Sequence, residues 1–150
     1  MEYNIEYSVN ESDLLKEFKR TVSLVASQGV NQDGSSIYDS SRFYERNEAE
    51  ALRYIRDGVR SFVARFSDVT RLEMGVDGVP YQISFYLPDF NVTAFESVGS
   101  LIDKFIHDKA VSLWFTNRAP DSAKFYAESA IGTLAEIAII LRTRKNPERS

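Results

Sequence analysis

Cysteine is absent from this chain, and histidine and tryptophan each occur once. Without a thiol there is no disulfide, no cysteine nucleophile and no thiolate metal site. With His107 as the sole histidine, a Ser-His-Asp arrangement would need that residue as its base. The chain also lacks a Gly-x-Ser-x-Gly elbow and a phosphate-cradling glycine loop. No apolar run is long enough to span a bilayer, so no membrane partner is expected. Met1-Glu2-Tyr3-Asn4 has neither the basic nor the apolar region of a signal peptide, which predicts a cytoplasmic chain. Positive charge is not in excess either: a net charge of −4 argues against general, and gives no sign of sequence-specific, nucleic-acid binding.

What is present is ordinary globular material. At 43% hydrophobic and 27% charged, 150 residues suit one domain (1–150) with a real core. The charge is uneven. From Arg142 onward there are four basic residues and one acidic, +3, which leaves −7 for the remainder of the −4 total.

Tyr3, Ile5, Tyr7 and Val9 alternate with polar residues, the period of a half-buried strand. Asn10 or Ser12 can cap a helix over 11–27, with Leu14, Leu15, Phe18, Val22, Leu24 and Val25 as its apolar positions. Residues 28–46 are punctuated by glycine and serine and read as a long loop, yet they carry Tyr38, Phe43 and Tyr44. Two readings stand for these aromatics. They dock back onto the domain's own core, or they form a partner-binding arm that orders on assembly.

Asn47 with Glu50 has the spacing of a capping box opening a helix to about Ser67, with Arg53, Arg56, Asp57, Arg60 and Arg65 facing solvent. A hairpin follows. Leu72, Met74 and Val76 alternate, Asp77-Gly78 is a preferred two-residue turn, and Val79, Tyr81, Ile83, Phe85 and Leu87 resume the alternation. Pro80 cannot donate to a ladder, which predicts that its strand lies at an edge, at least near its start.

Two long helices close the chain. Thr93 and Glu96 have capping-box spacing, and Val98, Leu101, Ile102, Phe105 and Ile106 form an apolar stripe that Val111, Leu113, Trp114 and Phe115 widen. Asn117 can end the first helix and Pro120 suits the first turn of the second. The second carries Phe125, Ala127, Ala130, Ile131, Leu134, Ile137, Ala138 and Leu141, and ends in Arg142-Thr143-Arg144-Lys145 before Pro147. Residues 145–150 read as a flexible basic tail. The expected fold is therefore α+β: a mainly helical bundle of about four helices with a small antiparallel sheet of two or three strands, including the hairpin.

Chemistry is sparse. Asp103 and His107 stand one helical turn apart and can share a face, but two ligands of that kind are too few for a metal site. Asn31-Gln32-Asp33-Gly34 matches part of a calcium loop, but Gly29 and Ser40 stand where its first and last acidic ligands belong. Asn10-Glu11-Ser12 and Asn91-Val92-Thr93 match the glycosylation pattern by chance in a chain that is not exported. No active site, cofactor site or metal site is expected, and the chain reads as a non-enzyme.

One stretch resembles a known family. Ala110-Val111-Ser112-Leu113-Trp114-Phe115-Thr116-Asn117-Arg118 is similar to the small head–tail connector (adaptor, or head-completion) proteins of tailed bacteriophages. In that family a late helix ends in an aromatic pair, an asparagine and an arginine, matched here by Trp114, Phe115, Asn117 and Arg118. A final segment ends in a basic cluster, matched by Arg142 and Arg144. Residues 51–62 resemble the family's helix before a β-hairpin, and the order helix, hairpin, helix, helix agrees. The likeness spans about Glu48 to Arg144; the N-terminal strand, the long loop and the longer last helix depart from it.

The resemblance implies a non-enzymatic ring subunit, made in the bacterial cytoplasm and then part of the virion. Its partners would be copies of itself and portal or tail proteins. The interaction residues expected on this reading are Tyr38, Phe43, Tyr44, Arg142, Arg144, Lys145 and Arg149. A cytoplasmic adaptor gripping a partner with the Tyr38–Tyr44 loop is the alternative, followed by a small enzyme using His107 and Asp103.

Overall fold

The computed structural model describes residues 3–28, 43–75 and 79–142. Tyr38, Arg144, Lys145 and Arg149, the partial calcium loop and the Asp77-Gly78 turn lie outside these residues. The described elements run β1 (Ile5–Ser8), α1 (Glu11–Gln28), α2 (Glu48–Arg65), β2 (Thr70–Met74), β3 (Pro80–Phe85), α3 (Phe95–Phe115) and α4 (Pro120–Leu141). Short 3-10 turns, Glu45–Asn47 and Val92–Ala94, lead into α2 and towards α3. The architecture is the expected α+β one: four described helices and a three-stranded antiparallel sheet.

The strand order is β1-β3-β2, so the strand that opens with Pro80 is central over most of its length, while its start, as expected of Pro80, has a partner on one side only. Its proline is accommodated by register. β1 pairs with β3 only over 82–85, so nothing in that partner asks Pro80 for an N–H. On the other side the ladder slips between Glu73 and Met74, and Met74 is left exposed. Asn4 extends the sheet beyond β1. Its side-chain amide donates to Leu87 O (3.0 Å) and accepts from Leu87 N (2.9 Å), mimicking one more ladder residue.

Local signals placed the helices, though two caps differ from those expected. Asn10 opens α1, its carbonyl accepting from Leu14 N and its side chain from Asp13 N, both at 3.1 Å. Asn47 instead accepts from Tyr44 N (3.1 Å), and Glu50 turns away to Arg118 and Tyr54. Ahead of α3 the cap is Asn91, whose side chain accepts from Thr93 N (3.2 Å) and Thr93 Oγ1 (2.7 Å), in place of a Thr93–Glu96 box. Both glycosylation-pattern asparagines thus serve helix starts. Arg56, expected to face solvent, forks onto Glu11 at 2.8 and 3.0 Å and ties α2 to the first turn of α1.

The core lies where α1, α2 and the sheet converge on α3. Phe18, Val22, Ile55, Val59, Phe62, Ile83, Phe85, Ile102, Ile106, Trp114, Phe115 and Ile137 are fully buried. Edge-to-face ring contacts knit it, among them Phe18–Trp114 (5.7 Å) and Phe85–Phe95 (5.1 Å). Gly58 lets α2 approach α3 closely: a Cβ there would stand 3.1 Å from the carbonyl oxygen of Ile106. Periodicity over-assigned the interior in three places, because Leu24, Phe125 and Ile131 are exposed.

Candidate functional site

Three features stand out on this frame: the α3–α4 junction, a polar seam at the centre of α3, and the outward face of α4.

At the junction, α3 ends at Phe115 and α4 begins at Pro120, as their sequence signals predict. Trp114 and Phe115 are fully buried. Arg118 donates from both terminal nitrogens to the two carboxylate oxygens of Glu50 (3.1 Å each) and to Trp114 O (2.9 Å). Its guanidinium also stacks on the Trp114 ring, 3.7 Å from the centroid. Burial disfavours the Glu50 charge, but hydrogen bonds from Arg118 and Tyr54 and the arginine charge outweigh it and hold the carboxyl below its ordinary value. Asn117 is exposed in the turn. Of the four residues carrying the family resemblance, Arg118 ties the helical hairpin to Glu50 of α2, Trp114 packs on Phe18 of α1, and Phe115 is buried in the core.

Phe43 packs on this same locus, 6.2 Å from the Phe18 ring and 5.5 Å from Trp114. Of the two readings of the loop aromatics, Phe43 follows the docking one. Tyr44 stands before the 3-10 turn with Arg46 over its ring at 4.3 Å. Arg142, at the end of α4, lines a hollow of about 160 Å³ with Arg65 and Asp68.

The polar seam centres on Asp108, buried between α3 and α4. It accepts from Ser129 Oγ (2.7 Å), Lys104 Nζ (3.1 Å) and His107 Nδ1 (2.9 Å). Lys104 further donates to Ser129 Oγ (2.9 Å) and Thr133 Oγ1 (3.1 Å). Burial opposes the Asp108 charge, yet these donors and the lysine charge keep the carboxyl below its ordinary value. An ionised Asp108 can only accept, so His107 carries its proton on Nδ1. Its Nε2 stands 2.7 Å from Thr21 Oγ1 on α1, a hydroxyl that can either donate to the ring or accept from it. Sequence reasoning named His107 but missed Asp108, Ser129 and Thr133. The only available signal was a carboxylate one turn after Lys104 inside an apolar helix.

His107 and Asp103, paired in the sequence reading, do share a wall but do not touch each other's partners. Asp103 accepts from the Tyr7 hydroxyl. Partial burial raises its carboxyl above the ordinary value and the charge of Asp13 adds to this, against the pull of the Tyr7 hydrogen bond. Burial and the bond to Asp103 raise the Tyr7 phenol in turn. Asp103 and His107 line a groove of about 290 Å³ between α1 and α3, along with Asn10, Asp13, Leu14, Glu17, Thr21 and Lys104. Among the described residues no group of three or more histidines and carboxylates is arranged to hold a metal ion.

The outward face of α4 mixes apolar and charged side chains: Lys124, Glu128 and Glu136 are exposed beside Phe125, Ile131 and Ile139. Phe125, Ile131 and Ile139 are 65–68% exposed, with Gly132 and Ala135 between them. Nothing lies within 4 Å of a Cβ built at Gly132. Among the described elements α4 packs chiefly on α3, so a helix with apolar residues on both sides covers only one of them. No described helix is long and apolar enough to cross a membrane.

Against known proteins, the chain matches no family model, no curated protein and no solved structure.

Proposed function

We propose that this chain is a structural assembly subunit that associates with copies of itself and with other proteins, in the manner of a head–tail connector of tailed bacteriophages. The observation that carries the reading is the set of three large apolar side chains, Phe125, Ile131 and Ile139, that stand in solvent among the charged residues on the outward side of α4. Scattered single apolar residues are normal on a surface, whereas three large ones along one helix face suit a protein interface. Two further features support it. Among the described residues β1 and β2 are the outer strands of the sheet, and the charge separates into an acidic body and a basic segment from Arg142 onward.

On this reading the chain does no chemistry. Its partners are its own copies in a ring and portal or tail proteins, reached in the bacterial cytoplasm and kept in the virion. An acidic ring wall would let DNA slide through without gripping it. The Trp114–Arg118 junction would hold α4 rigid for docking. Negative-stain electron microscopy of the purified chain at high concentration tests the reading. Closed rings of uniform diameter are expected; a field of isolated particles of monomer size rejects it.

A further inference from the structure

We propose that Thr21 is a reactive hydroxyl, served by His107 and Asp108, that takes an acyl group from activated esters, those with an aryl oxide or thiolate leaving group, entering the groove between α1 and α3. The assembly reading asks no chemistry of the chain. This inference goes beyond it and stands on other residues, so either can fail alone.

Three side chains from two helices form a hydrogen-bonded series. Thr21 Oγ1 on α1 stands 2.7 Å from His107 Nε2 on α3, and His107 Nδ1 stands 2.9 Å from Asp108 Oδ1. A hydroxyl, an imidazole and a carboxylate in that order supply a nucleophile, its base and the group that orients the base. Asp108 is buried, and Ser129 and Lys104 hold its second oxygen at 2.7 and 3.1 Å, so the carboxylate is fixed against the ring. In the neutral ring Nδ1–H is committed to that carboxylate and Nε2 keeps a lone pair, to which the Thr21 hydroxyl donates. An apolar contact between α3 and α4 would hold the hairpin as well as this charged seam does, so packing alone does not account for it.

The second observation is the cavity. Thr21 and His107 both line the groove of about 290 Å³, a volume at the lower end of small-ligand sites. Leu14 gives it an apolar wall, while Asp13, Glu17 and Asp103 make it acidic, which suits an uncharged acyl donor over an anionic one. Lys104 spends its hydrogen bonds on Asp108, Ser129 and Thr133, so its ammonium is not free to meet a developing oxyanion. The reaction is therefore confined to donors whose leaving group departs readily.

Thr21 Oγ1 bonds to the carbonyl carbon as His107 Nε2 takes the hydroxyl proton and the C=O pair moves onto oxygen. When that pair returns, the bond to the leaving group breaks and its electrons depart with the aryl oxide or thiolate, which takes the proton back from Nε2. The products are an acyl ester of Thr21 and a phenol or thiol, with no change of oxidation state. Thr21 and His107 are the catalytic residues. Asp108 is a positioning residue that also balances the imidazolium as it forms.

The test exposes the whole chain to p-nitrophenyl acetate and follows nitrophenolate release, intact mass and peptide mapping. One acetyl group on Thr21, ahead of any on lysine, is expected. Thr21→Val should abolish that label and Thr21→Ser should keep it, a contrast that decides even if a His107 variant fails to fold. His107→Gln, checked for folding by circular dichroism, should slow labelling about a hundredfold or more. Asp108→Asn should lower the limiting acylation rate about tenfold or more while the half-saturating ester concentration holds. An unlabelled Thr21 in the parent chain, or a parent-like rate in folded His107→Gln or Asp108→Asn, overturns the proposal.

Discussion

Removing the Arg118 guanidinium probes how the α3–α4 junction is held. In Arg118→Ala the chain loses two charge-assisted bonds to Glu50, the bond to Trp114 O and the stack on the Trp114 ring. Hydrogen bonds to charged groups contribute roughly 1.5–3 kcal/mol where solvent is excluded, and an exposed cation–π contact about 0.5–1 kcal/mol. Both side chains of the pair remain about a quarter exposed, at 23% and 25%, so screening removes a good part of this. The expected net loss is about 2–3 kcal/mol, which lowers the melting temperature by roughly 5–10 °C for a chain of this size.

Because Glu50 loses its partner in the same variant, the pair must be read through a double-mutant cycle with Glu50→Gln. A coupling of about 1–2 kcal/mol in urea unfolding is expected. Arg118→Lys should recover little of it, since lysine offers neither the fork nor the flat stack. An Arg118→Ala loss below about 0.5 kcal/mol, or strictly additive single variants, would refute the reasoning.

Further predictions concern glycine, the sheet end and acid. Gly58→Ala should destabilise by about 1–2 kcal/mol because the methyl meets the Ile106 backbone, whereas Gly132→Ala, with open space around it, should stabilise by about 0.5–1 kcal/mol. Opposite signs in thermal melts check both. Asn4→Ala, which leaves the Leu87 N–H and carbonyl without the amide, should cost about 1–2 kcal/mol, with faster amide exchange at Leu87.

Glu50 and Asp108 have carboxyls lowered in the folded chain, so their contribution is fully present above the unfolded values and is lost as pH falls through the folded ones. Asp103, raised by burial and by Asp13, acts in the opposite sense: its contribution is present below its unfolded value and lost as pH rises through the folded one. Urea midpoints between pH 7 and pH 3 should therefore fall less in Asp108→Asn than in the parent. An equal fall in both rejects the assignment.

Much of the fold was legible because local chemistry and tertiary packing agree. The alternation of 3–9, the helical periods of 11–27 and 95–141, and Pro120 at a helix start all describe elements the chain adopts. Long-range competition decided the rest. Glu50 had the spacing of a capping partner for Asn47, but Arg118, 68 residues away, offered a full charge. Pro80 implied an edge at the start of its strand, and β1 does stop short of it, but pairing from Gln82 onward makes the rest of the strand central. Period alone could not separate the two apolar sides of α4, which is why Ile131 and Phe125 read as core. The seam around Asp108 joins single polar residues from α1, α3 and α4, a pattern with no local sequence signature.

The central claim, that α4 offers its outer face to other protein surfaces, is tested most directly by the mass of the chain in solution. Light scattering across a rising concentration series should show mass growing above the 17.1 kDa of one copy. Substituting Ile131→Glu and Ile139→Lys together, both at exposed positions, should return it to one copy while the circular dichroism and melting temperature hold. A parent chain of single-copy mass throughout, or an assembly that the two charges leave intact, would contradict the account.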